Sequence, residues 1–143
     1  MSNLELLSKT ISEVSEQIRN KKLSPVELVT AQLEHIDKMR TPINSFITVL
    51  ADQALEAARK AEEEISRGQY KGPLHGIPYA VKDNITTKGI RTTLGSKIRA
   101  DWVPEEDATV VTKMREAGAI LMGKENLHEF AAGPTGNNPH YGN

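Results

Sequence analysis

The 143-residue sequence contains no cysteine. That excludes disulfide staples, thiolate-ligated zinc and thiol nucleophiles, and it fits a reducing compartment. No stretch approaches 18 consecutive apolar residues, so no membrane-spanning helix is expected. The opening "MSNLELLSKT" has no basic segment followed by an apolar run and does not read as a secretory signal. Charge of one sign is missing too. The net charge is −1 and basic residues never gather into a face, so a nucleic-acid partner is not expected. Internal repeats and low-complexity tracts are absent. The expected protein is soluble and cytoplasmic, with no membrane association.

What is present is ordinary globular composition, 38% hydrophobic and 26% charged, in a length that suits one domain. In "KTISEVSEQIRNKK", Ile11, Val14 and Ile18 recur at helical spacing. "SPVE" at 24–27 reads as a capping box with Pro25 in the first turn, predicting a helix over about 25–40 that Pro42 ends. "SFITVL" predicts a short strand. "DQALEAARKAEEEISRGQ" predicts a helix with Leu55, Ala58, Ala61 and Ile65 inward and Gly68 at its C-terminal end. "IPYAV" predicts a second strand, and 84–106 a long ordered loop. "DATVVTKMREAG" predicts a helix capped by Asp107 and stopped by Gly118. "AILMG" predicts a third strand, and "ENLHEFAA" one or two helical turns. Fully apolar strands alternating with helices place the chain in the α/β class.

Four motifs raise chemistry. "GAILMGKE" approaches a phosphate-binding loop, but Glu125 replaces the required hydroxyl and the intervening residues are strand formers. His35, His75, His128 and His140 have no second histidine at i, i+3 or i+4, and the one carboxylate so placed, Glu125 three residues before His128, makes a pair that is common by chance, so no metal is expected. "GPTGNN" reads either as a turn-rich connection or as an anion-cradling nest of amides. Lys82, at the end of the apolar "IPYAVK" strand, is open to two readings. It is a solvated strand-end charge, or, if it points inward, a desolvated amine with lowered pKa that can act as a general base.

"PLHGIPYAVKDNITTKGIRTTLGS" and "DATVVTKMREAGAILMGKENLHEFAAGPTGNNPHYGN", with "LSPVELVTAQLEHID" and "INSFITVL" before them, resemble the amidase signature family over nearly the whole chain. The resemblance implies the N-terminal part of an α/β/α fold with a mixed sheet between helices, preceded by two N-terminal helices. Residues 1–143 would then be one incomplete domain, with helices over 1–42 and the start of the core over 43–143. It implies hydrolysis of carboxylic amides to acid plus ammonia or amine by a Ser–cis-Ser–Lys triad, without cofactor or metal. Lys82 falls on the triad lysine, and Ala131, Ala132 and Gly133 on a loop that lines the substrate pocket.

The family's Gly/Ser-rich segment, carrying both serines, has no counterpart here. Seven of the eight serines lie in the helical and first-strand region, and Ser96 lies in a loop. The expectation is a fragment that keeps the base, lacks both serines and is inactive alone, with a small-molecule amide as the substrate of the full-length enzyme. The wording "NLHEFAAGPTGNN" is more similar to general amidases than to the amidase-like subunits of tRNA-dependent amidotransferases, which more often carry Met-Asp and a Ser/Thr-rich stretch there. A fragment of the A subunit of a glutamyl/aspartyl-tRNA amidotransferase, acting in the glutaminase step, is the runner-up, and a non-catalytic truncated interaction module is a further alternative. Strands around 46–50, 77–82 and 119–122 would leave unpaired edges, through which the chain would self-associate.

Overall fold

A computed structural model describes residues 3–142. Three helices come first: α1 (Asn3–Leu7), α2 (Ile11–Arg19) and α3 (Pro25–Ile43). Helix α2 opens on a reciprocal capping box, in which Thr10 accepts from the Glu13 amide and the Glu13 carboxylate accepts from the Thr10 amide. For α3, Ser24 Oγ accepts from the amides of Val26 at 2.9 Å and Glu27 at 3.3 Å. Val14 and Ile18 are buried as the spacing predicts, but Ile11 is exposed.

The C-terminal boundary of α3 corrects the sequence reading. Pro42 lies inside the helix, in its last turn, where its missing N–H forfeits a single bond to the carbonyl four residues earlier. Asn44, left-handed at φ +50°, closes the helix by donating its amide to the Arg40 carbonyl at 2.9 Å.

Strand β1 (Phe46–Val49) leads into α4 (Ala51–Ser66), whose buried face is Ala54, Ala58, Ala61 and Ile65, with Leu55 half-buried. Gly68, at φ +83°, follows that helix as expected, donating its amide to Ile65 while Gln69 donates to Glu64. Strand β2 (Pro78–Lys82), α5 (Thr109–Glu116) and β3 (Ile120–Glu125) complete the regular elements, with short 3-10 turns at Lys97–Arg99 and Glu129–Ala131.

The sheet order is β1-β3-β2, so the last strand in sequence is the central one. β3 pairs antiparallel with β1 and parallel with β2, and both pairings carry a register shift. A mixed sheet results. Val29 of α3, Ala54, Ala58 and Ala61 of α4, and Ile120 and Met122 of β3 form one core cluster. A second joins Leu6, Val14, Ile18, Leu23, Leu28 and Ile77.

Two further expectations are corrected. Asp107 does not cap α5, whose N-cap is Ala108 without a side-chain bond. Asp107 instead accepts from the Lys88 amide at 2.7 Å and pairs with Arg115 at 3.1 Å, which pins the long loop to the helix. "ENLHEFAA" forms only a 3-10 turn, because Glu125 belongs to β3 and Phe130 and Ala131 both take positive φ, +52° and +56°. No helix among the described residues is long and apolar enough to cross a membrane.

Candidate functional site

β2 and β3 run parallel, and both carry candidate residues at or beyond their C-terminal ends. Lys82 is the last residue of β2, in register with Glu125 of β3. Its side chain is exposed, while Val81 before it and Asp83 after it are buried. Among these residues, then, Lys82 is the solvated strand-end charge of the first reading. The chain does not supply the desolvation that the second reading requires.

The desolvated lysine is Lys124, which the sequence reading did not single out. Its side chain and that of Asp83 are both 0% exposed. Lys124 Nζ donates to the Ile85 carbonyl and to Thr92 Oγ1, each at 2.7 Å, and lies 3.5 Å from Asp83 Oδ1. Burial pushes its pKa down from the usual lysine range, with the Asp83 carboxylate opposing. Lys124 is thus enclosed by acceptors and buried away from solvent. The signal for it was present: Ile120, Met122 and Lys124 alternate at the two-residue period of a strand, and all three are buried.

The Asp83 carboxylate also fixes the loop after β2. Oδ2 accepts from the Thr93 amide at 2.8 Å and from Thr93 Oγ1 at 2.5 Å, whereas Oδ1 accepts no hydrogen bond. The Asp83 carbonyl accepts from the Leu94 amide at 3.0 Å, and the Leu94 carbonyl accepts from the Phe130 amide at 2.8 Å. Two backbone bonds therefore connect the end of β2 to the turn that carries Ala131, Ala132 and Gly133. Among the described residues no hydrogen bond or ion pair joins Lys82 itself to those three.

Ala131 and Ala132 are exposed and Gly133 is half-buried. A β-carbon on Gly133 would stand 2.5 Å from Cε1 and Nδ1 of His128, so the ring lies directly on the glycine. His128 Nδ1 is buried without a hydrogen-bond partner. Glu129 Oε1 gathers two groups, Ser96 Oγ at 2.6 Å and His140 Nε2 at 3.0 Å. The serine and histidine bond to the same carboxylate and not to each other, so they do not form a serine-nucleophile relay. These bonds hold the Glu129 carboxyl below its usual range, Ser96 contributing most. Asn138 Nδ2 donates to the carbonyls of Gly95 and Leu127, both at 2.7 Å, which turns "GPTGNN" into an anchored connection.

The other histidines lie elsewhere. His75 is buried against Glu64 at 3.0 Å, and His35 is exposed on α3. A groove lined by Ile36, Met39 and Ile43 of α3 and by Phe46, Tyr79 and Met122 of the sheet passes beside Glu125 without including Lys82.

Residues 27–143 match the family profile described as Amidase. The A subunit of glutamyl-tRNA(Gln) amidotransferase from Heliobacterium modesticaldum is 44% identical over 135 residues, covering 94% of this chain and 28% of that protein. A crystal structure of an amidase superposes with a TM-score of 0.86 at 36% identity, covering 94% of this chain and 30% of that one. The native peptide amidase from Stenotrophomonas maltophilia superposes at 0.82 with 31% identity, over 87% of this chain and 26% of the enzyme. The chain thus spans between a quarter and a third of the length of these proteins. With a profile match over most of its length and a mixed α/β fold shared with solved amidases, the chain belongs to the amidase family.

Proposed function

We propose that these residues are the N-terminal section of an enzyme that hydrolyses small carboxylic amides to acid plus ammonia or amine, with Lys82 as its general base. One observation carries this reading. Lys82 sits at the C-terminal end of β2, and the turn of Ala131, Ala132 and Gly133 follows the C-terminal end of the parallel neighbour β3. In open α/β sheets, ligands bind beyond the carboxyl ends of the strands.

In the proposed reaction a neutral Lys82 takes the proton of a bridging serine, which in turn deprotonates a serine nucleophile. The nucleophile attacks the amide carbonyl, and water hydrolyses the resulting acyl-enzyme. Backbone amides near the nucleophile would stabilise the oxyanion. Both serines and those amides come from outside this 143-residue segment, which on its own carries the base without a nucleophile. The scheme calls for no metal or cofactor, and its substrate would be a small-molecule amide rather than a nucleic acid.

The test is ammonia release from a panel of simple carboxamides by the full-length protein and by residues 1–143 alone. Turnover confined to the full-length protein supports the proposal. Turnover by the 143-residue segment, or none by the full-length protein, contradicts it. Size-exclusion chromatography with light scattering on the segment should show self-association through the open outer edges of β1 and β2, and a monodisperse monomer would argue against it.

A second reading has its own support, the 44% identity to the amidotransferase protein of Heliobacterium modesticaldum. Under it, ammonia release would be selective for glutamine and raised by partner proteins. A broad amide preference with no partner requirement favours the general amidase.

A further inference from the structure

Asp83 and Lys124 form a fully buried ion pair one residue away from Lys82, and its stability value is small. Desolvating two charges offsets most of their attraction, and apolar residues of similar volume often replace such a pair without loss. The separation of 3.5 Å and the unbonded Oδ1 make this a weakly optimised pair. What it provides that an apolar pair cannot is direction. Lys124 Nζ ties β3 to the Ile85 carbonyl and to Thr92, while Asp83 Oδ2 ties the end of β2 to Thr93. Thr93 Oγ1 in turn accepts from the Gly95 amide at 3.1 Å. Between those anchors, Leu94 is held at φ +57°, with its amide on Asp83 and its carbonyl on the Phe130 amide. A left-handed leucine persists only where its surroundings over-determine it.

We infer that Asp83 and Lys124 are positioning residues. Together they hold the Thr92–Thr93–Leu94 corner so that Lys82 and the Ala131–Ala132–Gly133 turn keep a fixed spacing. The inference builds on the reading of Lys82 as the base. The two side chains act through the corner at Leu94: Asp83 by its carboxylate on Thr93, and Lys124 by fixing Thr92 and keeping the carboxylate compensated.

The experiment replaces the pair with apolar residues, Asp83→Leu together with Lys124→Met. Native-state hydrogen exchange on the 143-residue chain should show the Leu94 and Phe130 amides about tenfold faster, with the α4 amides unchanged. In the full-length protein, kcat per folded molecule should fall about 10- to 100-fold while KM stays within about twofold, because geometry rather than binding is lost. Exchange and kcat both at wild-type values would overturn the inference. So would a uniform acceleration across all amides, which marks a purely structural pair. If the double variant fails to fold, Thr93→Val removes the 2.5 Å hydroxyl bond at nearly constant volume and should show the same local pattern more weakly. Its absence would equally overturn the inference. Lys82→Ala separates the two ideas: if turnover survives it while exchange still responds to the pair, the base assignment fails and the coupling stands.

Discussion

His75 Nε2 lies 3.0 Å from Glu64 Oε2, while its Nδ1 accepts the Lys71 amide at 3.2 Å. Both ring nitrogens are committed, Nε2 as donor and Nδ1 as acceptor, so the neutral ring is the one that fits. A proton added at Nδ1 would face an N–H and cost that bond. Burial accordingly pushes the His75 pKa below its ordinary 6.5, with the Lys71 charge adding to the effect and Glu64 opposing it.

The pH dependence follows from the sign. Below pH 6.5 the unfolded chain binds a proton at His75 that the folded chain resists, so stability is full above 6.5 and falls as pH drops below it. Urea midpoints should be flat from about pH 8 to 6.5 and then decline, by at most about 1.4 kcal/mol per pH unit for one proton. His75→Gln should remove that decline. Glu64, held below 4.5 chiefly by its hydrogen bond to Lys71, adds a separate loss at lower pH, as protonation passes through its folded value.

Gly118 and Gly68 separate backbone strain from steric crowding. Both are left-handed, at φ +79° and φ +83°, but a β-carbon on Gly118 would stand 2.5 Å from His75 Cδ2, whereas Gly68 has open space. Gly68→Ala should cost about 1 kcal/mol, the penalty of the left-handed region alone. Gly118→Ala should cost about 2–4 kcal/mol, because the buried ring cannot retreat. Denaturant titration of the two variants at pH 7.5 measures the difference.

Gly133→Ala probes the turn beyond β3. The added methyl meets the His128 ring at 2.5 Å, so ring or turn must shift. Under the proposal that residues 131–133 border the substrate, the full-length variant should show KM raised severalfold with kcat changed less than about threefold. Steady-state kinetics on the best carboxamide checks this, with the His128 ring resonances reporting the displacement in the short chain.

The legible parts of this fold are those set by local chemistry. Ala, Glu and Lys at helical period announce α4, and an unbroken apolar run announces β2. Pairing was not legible. β3 enters between β1 and β2, and nothing local in "AILMG" records that it neighbours residues 46–49 on one side and 78–82 on the other. Asp107 was misread for a related reason: it lies one residue before a helix cap, but its partners are Lys88, 19 residues earlier, and Arg115. At the candidate site, the end of an apolar strand drew attention to Lys82, but only the family resemblance pointed to it as a base. Lys124 lies one residue beyond the expected strand "AILMG" and drew no separate notice, although its place in the alternation after Ile120 and Met122 marks it as buried. The corner at Leu94 depends on bonds to Asp83 and Phe130, 11 and 36 residues away, which sequence spacing does not encode.

The central claim concerns Lys82, and its exposure in the 143-residue chain gives a clean folding control. Substituting this strand-end side chain should leave the melting temperature of the 143-residue chain essentially unchanged, within about 0.5 kcal/mol of stability. Ammonia release should be measured for the full-length protein and its Lys82→Ala variant, on the same amide and at equal folded concentration. A loss of turnover of at least about a thousandfold, with the melt of the 143-residue chain unaltered, is the predicted result. Turnover within about tenfold of wild type would contradict the assignment of Lys82 as the base.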